Sequence, residues 1–223
     1  MWIFAHRGAP AERRSENTIR AFRAALAQGA QLESDARLSR DGVVVLVHDA
    51  WVRHRFLYRR VSRLRYQDLR RRGVATAAGL YAVLGTEFEL SVDLKVHAAS
   101  GPLIDEAAAH GAERRLWLVS DDLEVLRRIR DDNSRVRLVH ESRLRRIDDP
   151  QRHAVQLAEA GIDAQNTNTA DWNRQLVDHV HATGVLAFGS LINDPERLSR
   201  ARALGLDAIY TDHIGLAAEP IPQ

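Results

Sequence analysis

The 223-residue chain has no cysteine, which removes disulfides, thiolate nucleophiles and cysteine-ligated zinc together. Lysine is nearly as scarce. Of 32 basic residues 31 are arginine and one, Lys95, is lysine, so a chain that accepts arginine almost everywhere has kept a compact ammonium at one position. No apolar run reaches the roughly 18 residues a membrane span requires, and the chain enters Trp2-Ile3-Phe4-Ala5 without a basic and then apolar leader. A cytoplasmic protein without stable membrane insertion is expected. A field of one sign is also missing. The net charge is +2 despite a pI of about 9.4, a pI that reflects the high pKa of arginine and gives no reason to expect a nucleic-acid partner. Internal repeats, low-complexity tracts and linkers are absent, so one domain over residues 1–223 is expected.

What is present is an alternation of short apolar runs with helical patterns. Strands are predicted at 2–5, 31–37, 88–95, 115–119, 136–140, 162–166, 185–189 and 208–211, with 43–47 as an additional one. Helices are predicted at 18–28, 76–84, 102–110, 122–131, 150–160, 171–182 and 195–203, and glycines follow most of them. Eight strands separated by helices predict an α/β fold, a (βα)8 TIM barrel with an extra β-hairpin strand after the second barrel strand. An open doubly wound sheet fits less well, because no glycine-rich nucleotide loop follows the first strand.

Three stretches place reactive side chains where such a barrel has its mouth. His6 and Arg7 close the first strand, ahead of Gly8. Glu33 and Asp35 are two apart on the second strand and share a face, which suits a hard divalent cation. Ser39-Arg40-Asp41-Gly42 is turn chemistry, and a two-residue loop at Arg40-Asp41 would pair positions summing to 81, returning His48 beside Glu33. On the third strand Asp93 and Lys95 share a face. Asp93 would complete a three-carboxylate site with Glu33 and Asp35, leaving Lys95 for a phosphate oxygen. His140, Glu141, Asn166, Trp172 and Asp212 are further candidates for the mouth, whereas His179 and His181, two apart on a helix, diverge and are read as surface.

In order along the chain, His6-Arg7-Gly8, Glu16-Asn17-Thr18, Leu32-Glu33-Ser34-Asp35, Asp41-Gly42 running to His48-Asp49, Asp93-Leu94-Lys95 and the closing Gly205-Leu206-Asp207-Ala208-Ile209-Tyr210-Thr211-Asp212 resemble the glycerophosphodiester phosphodiesterase family. The resemblance implies hydrolysis of a glycerophosphodiester to glycerol phosphate and an alcohol, dependent on a divalent metal ion, Mg²⁺ or Ca²⁺. It implies Glu33 and Asp35 as metal ligands, with Asp93 in the same set, His6 and His48 in acid and base roles, and Arg7 and Lys95 on the phosphate of a small-molecule phosphodiester. Which histidine is the acid, whether water attacks directly or a cyclic phosphate forms first, and which alcohol leaves stay open. So does the oligomeric state.

The chain departs from that family in three places. Asp93 stands where glutamate is usual. Phe188-Gly189-Ser190-Leu191 replaces Trp-Thr-Val-Asn near the alcohol side. After His48-Asp49 comes an arginine-rich run, residues 51–72, expected as a solvated loop and helix, or else as a lip over a phosphorylated substrate. Two other readings of the chain are a lysophospholipase D-like activity on a lysolipid and a non-catalytic phosphate- or lipid-binding barrel.

Overall fold

Period-two alternation along the strands decides which residues face the barrel axis and which face the helices. The computed structural model describes residues 1–10, 16–54, 56–190 and 192–215. In chain order its elements are β1 (Trp2–Ala5), α1 (Ile19–Ala27), β2 (Gln31–Leu38), β3 (Val44–Leu46), β4 (Trp51–His54), β5 (Leu57–Arg60), α2 (Tyr66–Arg70), β6 (Ala75–Thr76) and α3 (Ala77–Leu84). There follow β7 (Leu90–Leu94), α4 (Ser100–Ala109), β8 (Leu116–Ser120), α5 (Leu123–Asp132), β9 (Arg137–Glu141), α6 (Pro150–Glu159), β10 (Ala164–Asn168), α7 (Arg174–Ala182), β11 (Leu186–Ser190), α8 (Pro195–Leu204) and β12 (Ala208–Thr211). Strands β1, β2 and β7 to β12 pair in parallel around a closed ring, β12 returning to β1. The (βα)8 barrel is therefore present, with β3 added outside the ring as an antiparallel strand on β2, and β6 antiparallel on β3.

The helix starts are local chemistry. Thr18, Thr76, Asp122, Asp149, Asn173 and Asp194 each accept a backbone N–H of the first turn. Helix α7 begins at Arg174 because Asn173 caps it, and the residues ahead form a short 3-10 turn, which shortens the expected 171–182 helix.

One face of each barrel strand packs outward. Leu32, Ala36, Leu90, Val92, Leu116, Leu118, Leu138, Ala187 and Ile209 join the helices in the main core. The opposite face fills the barrel with Trp2, Phe4, Trp117, Val119, Val139, Ala164, Leu186, Phe188, Ala208 and Tyr210. Phe4 and Tyr210 stack with ring centroids 5.2 Å apart, and Trp117 lies 5.2 Å from Phe188. At the foot of the barrel the Arg137 guanidinium sits 4.6 Å above Trp117, whose indole N–H donates to Glu89 at 2.6 Å. This aromatic layer is the floor of the site.

Two sequence expectations need correction. The β2–β3 ladder pairs Ala36 with Leu46 and Leu38 with Val44, so positions sum to 82. The turn takes three residues, Arg40, Asp41 and Gly42, because Ser39 N–H closes onto Val43 carbonyl and Gly42 takes φ +79°. A one-residue change of register reverses the face each side chain takes, so His48 is not directly opposite Glu33. The arginine-rich run is also more ordered than expected. It contains the antiparallel β4–β5 hairpin as well as helix α2.

Trp117→Ala should cost about 3–5 kcal/mol, as removal of a fully enclosed indole does. Chemical denaturation of the variant measures it. A loss below about 1 kcal/mol would mean that the floor is not packed as described.

Candidate active site

The same alternation that makes the floor sets the mouth above it. One step past Phe4 on the inward face is His6; past Tyr210 is Asp212; inward on β2 are Glu33 and Asp35, and on β7 Ser91 and Asp93. Of these, His6, Glu33, Asp93 and Asp212, with Glu141, Asn166, Ser190, Asn193 and Thr211, surround a cavity of about 190 Å³ at the C-terminal ends of the strands. A larger cavity of about 670 Å³ shares Asp93 and Glu141 and is walled by Lys95, His97, Asp121, His140, Arg143, Arg146 and His153.

The backbone after β1 turns sharply to reach this position. Arg7, Gly8 and Ala9 all have positive φ, 53°, 81° and 43°. At Gly8 a Cβ would stand 2.8 Å from the Ala21 Cβ, so glycine is required for space as well as for φ. Arg7 and Ala9 hold a conformation that costs non-glycine residues energy, and the surroundings hold it in place. Arg7 N–H donates to Glu33 Oε2 at 2.7 Å, Ala9 N–H to His6 carbonyl at 2.7 Å, and Asn17 N–H to Arg7 carbonyl at 3.0 Å. Asn17, itself at φ 55°, also donates its side-chain amide to Asp35 Oδ2 at 3.0 Å and accepts from Ser34 Oγ at 2.8 Å.

Charge is concentrated here. Glu33 is 5% exposed and Asp35 1%. Arg7 Nε lies 3.3 Å from Asp35 Oδ2, and Lys95 Nζ lies 3.3 Å from Asp35 Oδ1 and 2.5 Å from Asp93 Oδ2. Burial favours neutral Lys95, but Asp93 and Asp35 outweigh it and raise its pKa. Among the described residues no lysine or arginine side chain pairs with Glu33. Burial and the Asp35 charge push its carboxyl well above the ordinary carboxylate range, against the opposing pull of His6 and the Arg7 N–H bond. His6 Nδ1 bonds Asp212 Oδ1 at 2.7 Å. Burial works against charging the imidazole, yet the bond to Asp212 and the charges of Glu33 and Asp212 prevail, and the His6 pKa rises above 6.5. The same bond, helped by Asn193, holds Asp212 down to about 2.

Of the residues expected from sequence, His6, Glu33 and Asp93 line the smaller cavity, and Arg7, Asp35 and Lys95 form the ion-pair network beside it. His48 stands apart. Its ring bonds Asp49 Oδ1 at 2.9 Å and its carbonyl accepts two bonds from Arg37, at 2.9 and 2.7 Å. The chain does return it to the level of the mouth, since Val47 N–H bonds Asp35 carbonyl at 2.8 Å. The three carboxylates do not form a preassembled cluster. Like charges repel, and Lys95 intervenes between Asp35 and Asp93 while Glu33 turns to the Arg7 N–H; among the described residues no three histidine or acidic side chains are arranged to hold a metal ion.

Asp212 and Glu141 are at the mouth as expected, and Asn166 joins them with a buried Oδ1 that has no partner among the described residues. Trp172 is instead a core residue, its indole N–H bonded to Phe188 carbonyl. His140 pairs with His153 across 3.2 Å, and burial with that neighbour pushes it down to about 4. His179 and His181 each have a separate partner, Gln151 carbonyl and Asp207. Asn193 and Tyr210 were not legible, because Asn193 acts through bonds to Asp212 at the end of the neighbouring strand and Tyr210 through its bond to Ser91 across the barrel. Leu191 lies outside the described residues.

The sequence model for the glycerophosphoryl diester phosphodiesterase family matches residues 6–93 and 89–216. No curated protein matches the chain in sequence. Among solved structures, the chain is similar to the glycerophosphodiester phosphodiesterase of Thermotoga maritima, with a TM-score of 0.83 at 20% identity over 96% of both chains. It is similar to that of Agrobacterium tumefaciens, with a TM-score of 0.82 at 19% identity over 97% of this chain and 98% of the other. It is also similar to an Oleispira antarctica phosphodiesterase solved with its product sn-glycerol-3-phosphate, with a TM-score of 0.81 at 18% identity over 98% and 96%.

Asp212→Asn should reverse the His6 shift. Without the carboxylate, burial dominates and the His6 pKa should move from above 6.5 to below it, as followed by NMR titration of the imidazole. An unchanged His6 pKa would show that Asp212 does not set it.

Proposed function

The chain belongs to the glycerophosphoryl diester phosphodiesterase family, and from that membership we propose that it hydrolyses a glycerophosphodiester to glycerol phosphate and an alcohol in a divalent-metal-dependent reaction at the mouth described above. The observation that carries this reading is a wall of four carboxylates and one imidazole, Glu33, Asp93, Glu141, Asp212 and His6, on a cavity whose lining includes no ammonium or guanidinium, directly beside the cations of Arg7 and Lys95. The hard oxygen donors of these acids suit a divalent cation such as Mg²⁺ or Ca²⁺, whose charge would relieve the repulsion between Glu33 and Asp35 and draw together side chains that are not gathered without it. Glu33, Asp35 and Asp93 are the residues proposed to hold it. Bound there, such a cation supplies neutralisation of negative charge on the non-bridging phosphate oxygens.

The chain's own groups then divide the remaining work. Arg7 and Lys95 contact the phosphate, Lys95 as a point charge already oriented by two carboxylates. His6, its pKa raised by Asp212 against the opposing effect of burial, is the general acid that protonates the alkoxide as its bond to phosphorus breaks. His48, at the same level on the neighbouring strand pair, is the base that accepts the proton of the attacking oxygen. The unpaired Asn166 Oδ1 is an acceptor for a substrate hydroxyl. A lysolipid is the second candidate diester, favoured by the exposed aromatic residues that follow His48.

The test is release of glycerol phosphate from a panel of glycerophosphodiesters and lysolipids, with and without chelator. Turnover should vanish with chelator, return with Mg²⁺ or Ca²⁺, and be abolished in Glu33→Ala. Full turnover in chelator, or in Glu33→Ala, would overturn the metal assignment. His6→Ala should lose roughly 10²–10⁴-fold on ordinary esters and recover with an activated leaving group that needs no acid. His48→Ala should lose as much and not recover.

Lys95→Arg preserves charge but brings a planar fork into a space bounded by Asp35 at 3.3 Å and Asp93 at 2.5 Å. A loss of at least about tenfold in kcat/KM is expected, equivalent to ~1.4 kcal/mol, with a larger loss in Lys95→Met. Steady-state kinetics with thermal melts decide it. Parent-like kinetics in Lys95→Arg would make the lone lysine an accident of composition.

A further inference from the structure

The insertion between β3 and β6 carries a surface that the proposed reaction does not use. Residues 51–72 hold nine arginines against one acidic residue, Asp68, whereas the rest of the chain has 23 basic and 29 acidic residues. The near-neutral total therefore conceals a strongly cationic segment on an acidic body. Within it the β4–β5 hairpin exposes Phe56 by 93%, Tyr58 by 69%, Leu57 by 60% and Trp51 by 48%. Those four are half of the eight exposed large hydrophobic residues among the described ones, gathered in eight positions of chain.

Register sorts the hairpin into two faces. Val52, opposite Arg59, packs on the small core of Val45, Val61, Leu64 and Leu69, which turns that face toward the body. The other face carries the cross-strand pairs Trp51–Arg60 and Arg53–Tyr58, aromatic and guanidinium alternating, with the Arg60 guanidinium 5.0 Å from the Trp51 ring centroid. Among the described residues no ion pair reaches Arg53, Arg59 or Arg60. Phe56 stands in the turn, and Leu57, paired with His54 beside it, lies on the Val52 face yet is still exposed.

We propose that this hairpin docks the protein on an anionic lipid bilayer, with Phe56 and Leu57 entering the interface, Trp51 and Tyr58 at headgroup depth, and the arginines on lipid phosphates. Exposed aromatics interleaved with arginine and free of acidic residues are the composition that both the apolar and the charged parts of such an interface favour. A second copy of the chain suits the surface less well. A two-fold contact would set the same arginines against themselves, and two four-residue strands offer little of the roughly 800 Å² per partner that a stable interface buries. Because Trp51 follows His48 by three residues, its Cα is within about 11 Å of that of His48, so docking would bring the mouth to the membrane surface. The inference does not depend on the reaction proposed above.

The experiment is vesicle co-sedimentation of the intact protein with phosphatidylcholine alone and with phosphatidylserine added as the minor lipid. Binding should be at least about tenfold stronger to the anionic vesicles and fall about tenfold on raising salt from about 0.1 to 0.5 M. The emission of Trp51 should shift to the blue on binding, and the shift should be absent in Trp51→Phe. Phe56→Ser with Leu57→Ser, and separately Arg53→Gln with Arg60→Gln, should each weaken binding about tenfold while leaving the melting temperature and turnover of a soluble diester unchanged. No binding at low salt, or equal binding by parent and both double variants, overturns the proposal. So does a concentration-dependent dimer, seen by ultracentrifugation and abolished by the Phe56 and Leu57 substitutions, which would assign the face to a second copy.

Discussion

Two carboxylates withdrawn from water at the mouth of the barrel are the constraint on which the surrounding structure depends. Glu33 and Asp35 sit on the inward face of one strand and are almost wholly enclosed. A buried anion is costly unless charge or hydrogen bonds reach it. The chain answers with Lys95 from the next strand, the Arg7 side chain and backbone N–H, and the Asn17 amide. The left-handed backbone at Arg7, Ala9 and Asn17 follows from the same demand, since it turns the first loop so that these donors face the acids. Space at Gly8 permits the turn against helix α1.

The floor and the mouth are made by one rule operating at different heights. Inward positions low on the strands are aromatic or aliphatic and stack into a solid layer; inward positions at the strand ends are acidic, basic or amide. The floor keeps the groups above it in fixed places and dry on one side. Tyr210 joins the two levels, stacked on Phe4 below and hydrogen-bonded to Ser91 at its hydroxyl.

The insertion follows different physics. Its hairpin is a two-stranded piece with one residue, Val52, packed into the body and most others in water. Such an element is weak alone, and a partner surface would account for its composition better than solvent does. Its charge is opposite in sign to that of the remaining chain, a division invisible in the total of +2.

The sequence by itself determined the barrel and most of its mouth. Strand and helix periods, capping residues and the two-residue spacings of Glu33 with Asp35 and Asp93 with Lys95 are local properties, and they carry into the structure with only end residues changed. Composition likewise singled out Lys95. What only the tertiary structure decided were the outcomes of competition between neighbours. The turn at Arg40 to Gly42 took one more residue than Asp-Gly chemistry alone suggested, because the ladder and the φ of Gly42 set the register jointly, and His48 moved with it. The three acids did not gather as one cluster, because Lys95 stands between Asp35 and Asp93 while Glu33 turns to the Arg7 N–H. The pairing of His6 with Asp212 joins residues 206 positions apart, and Asn17, Asn193 and Tyr210 acquire their roles only through contacts with other strands. No spacing in the chain encodes such contacts, since closing the barrel is what brings its first and last strands together.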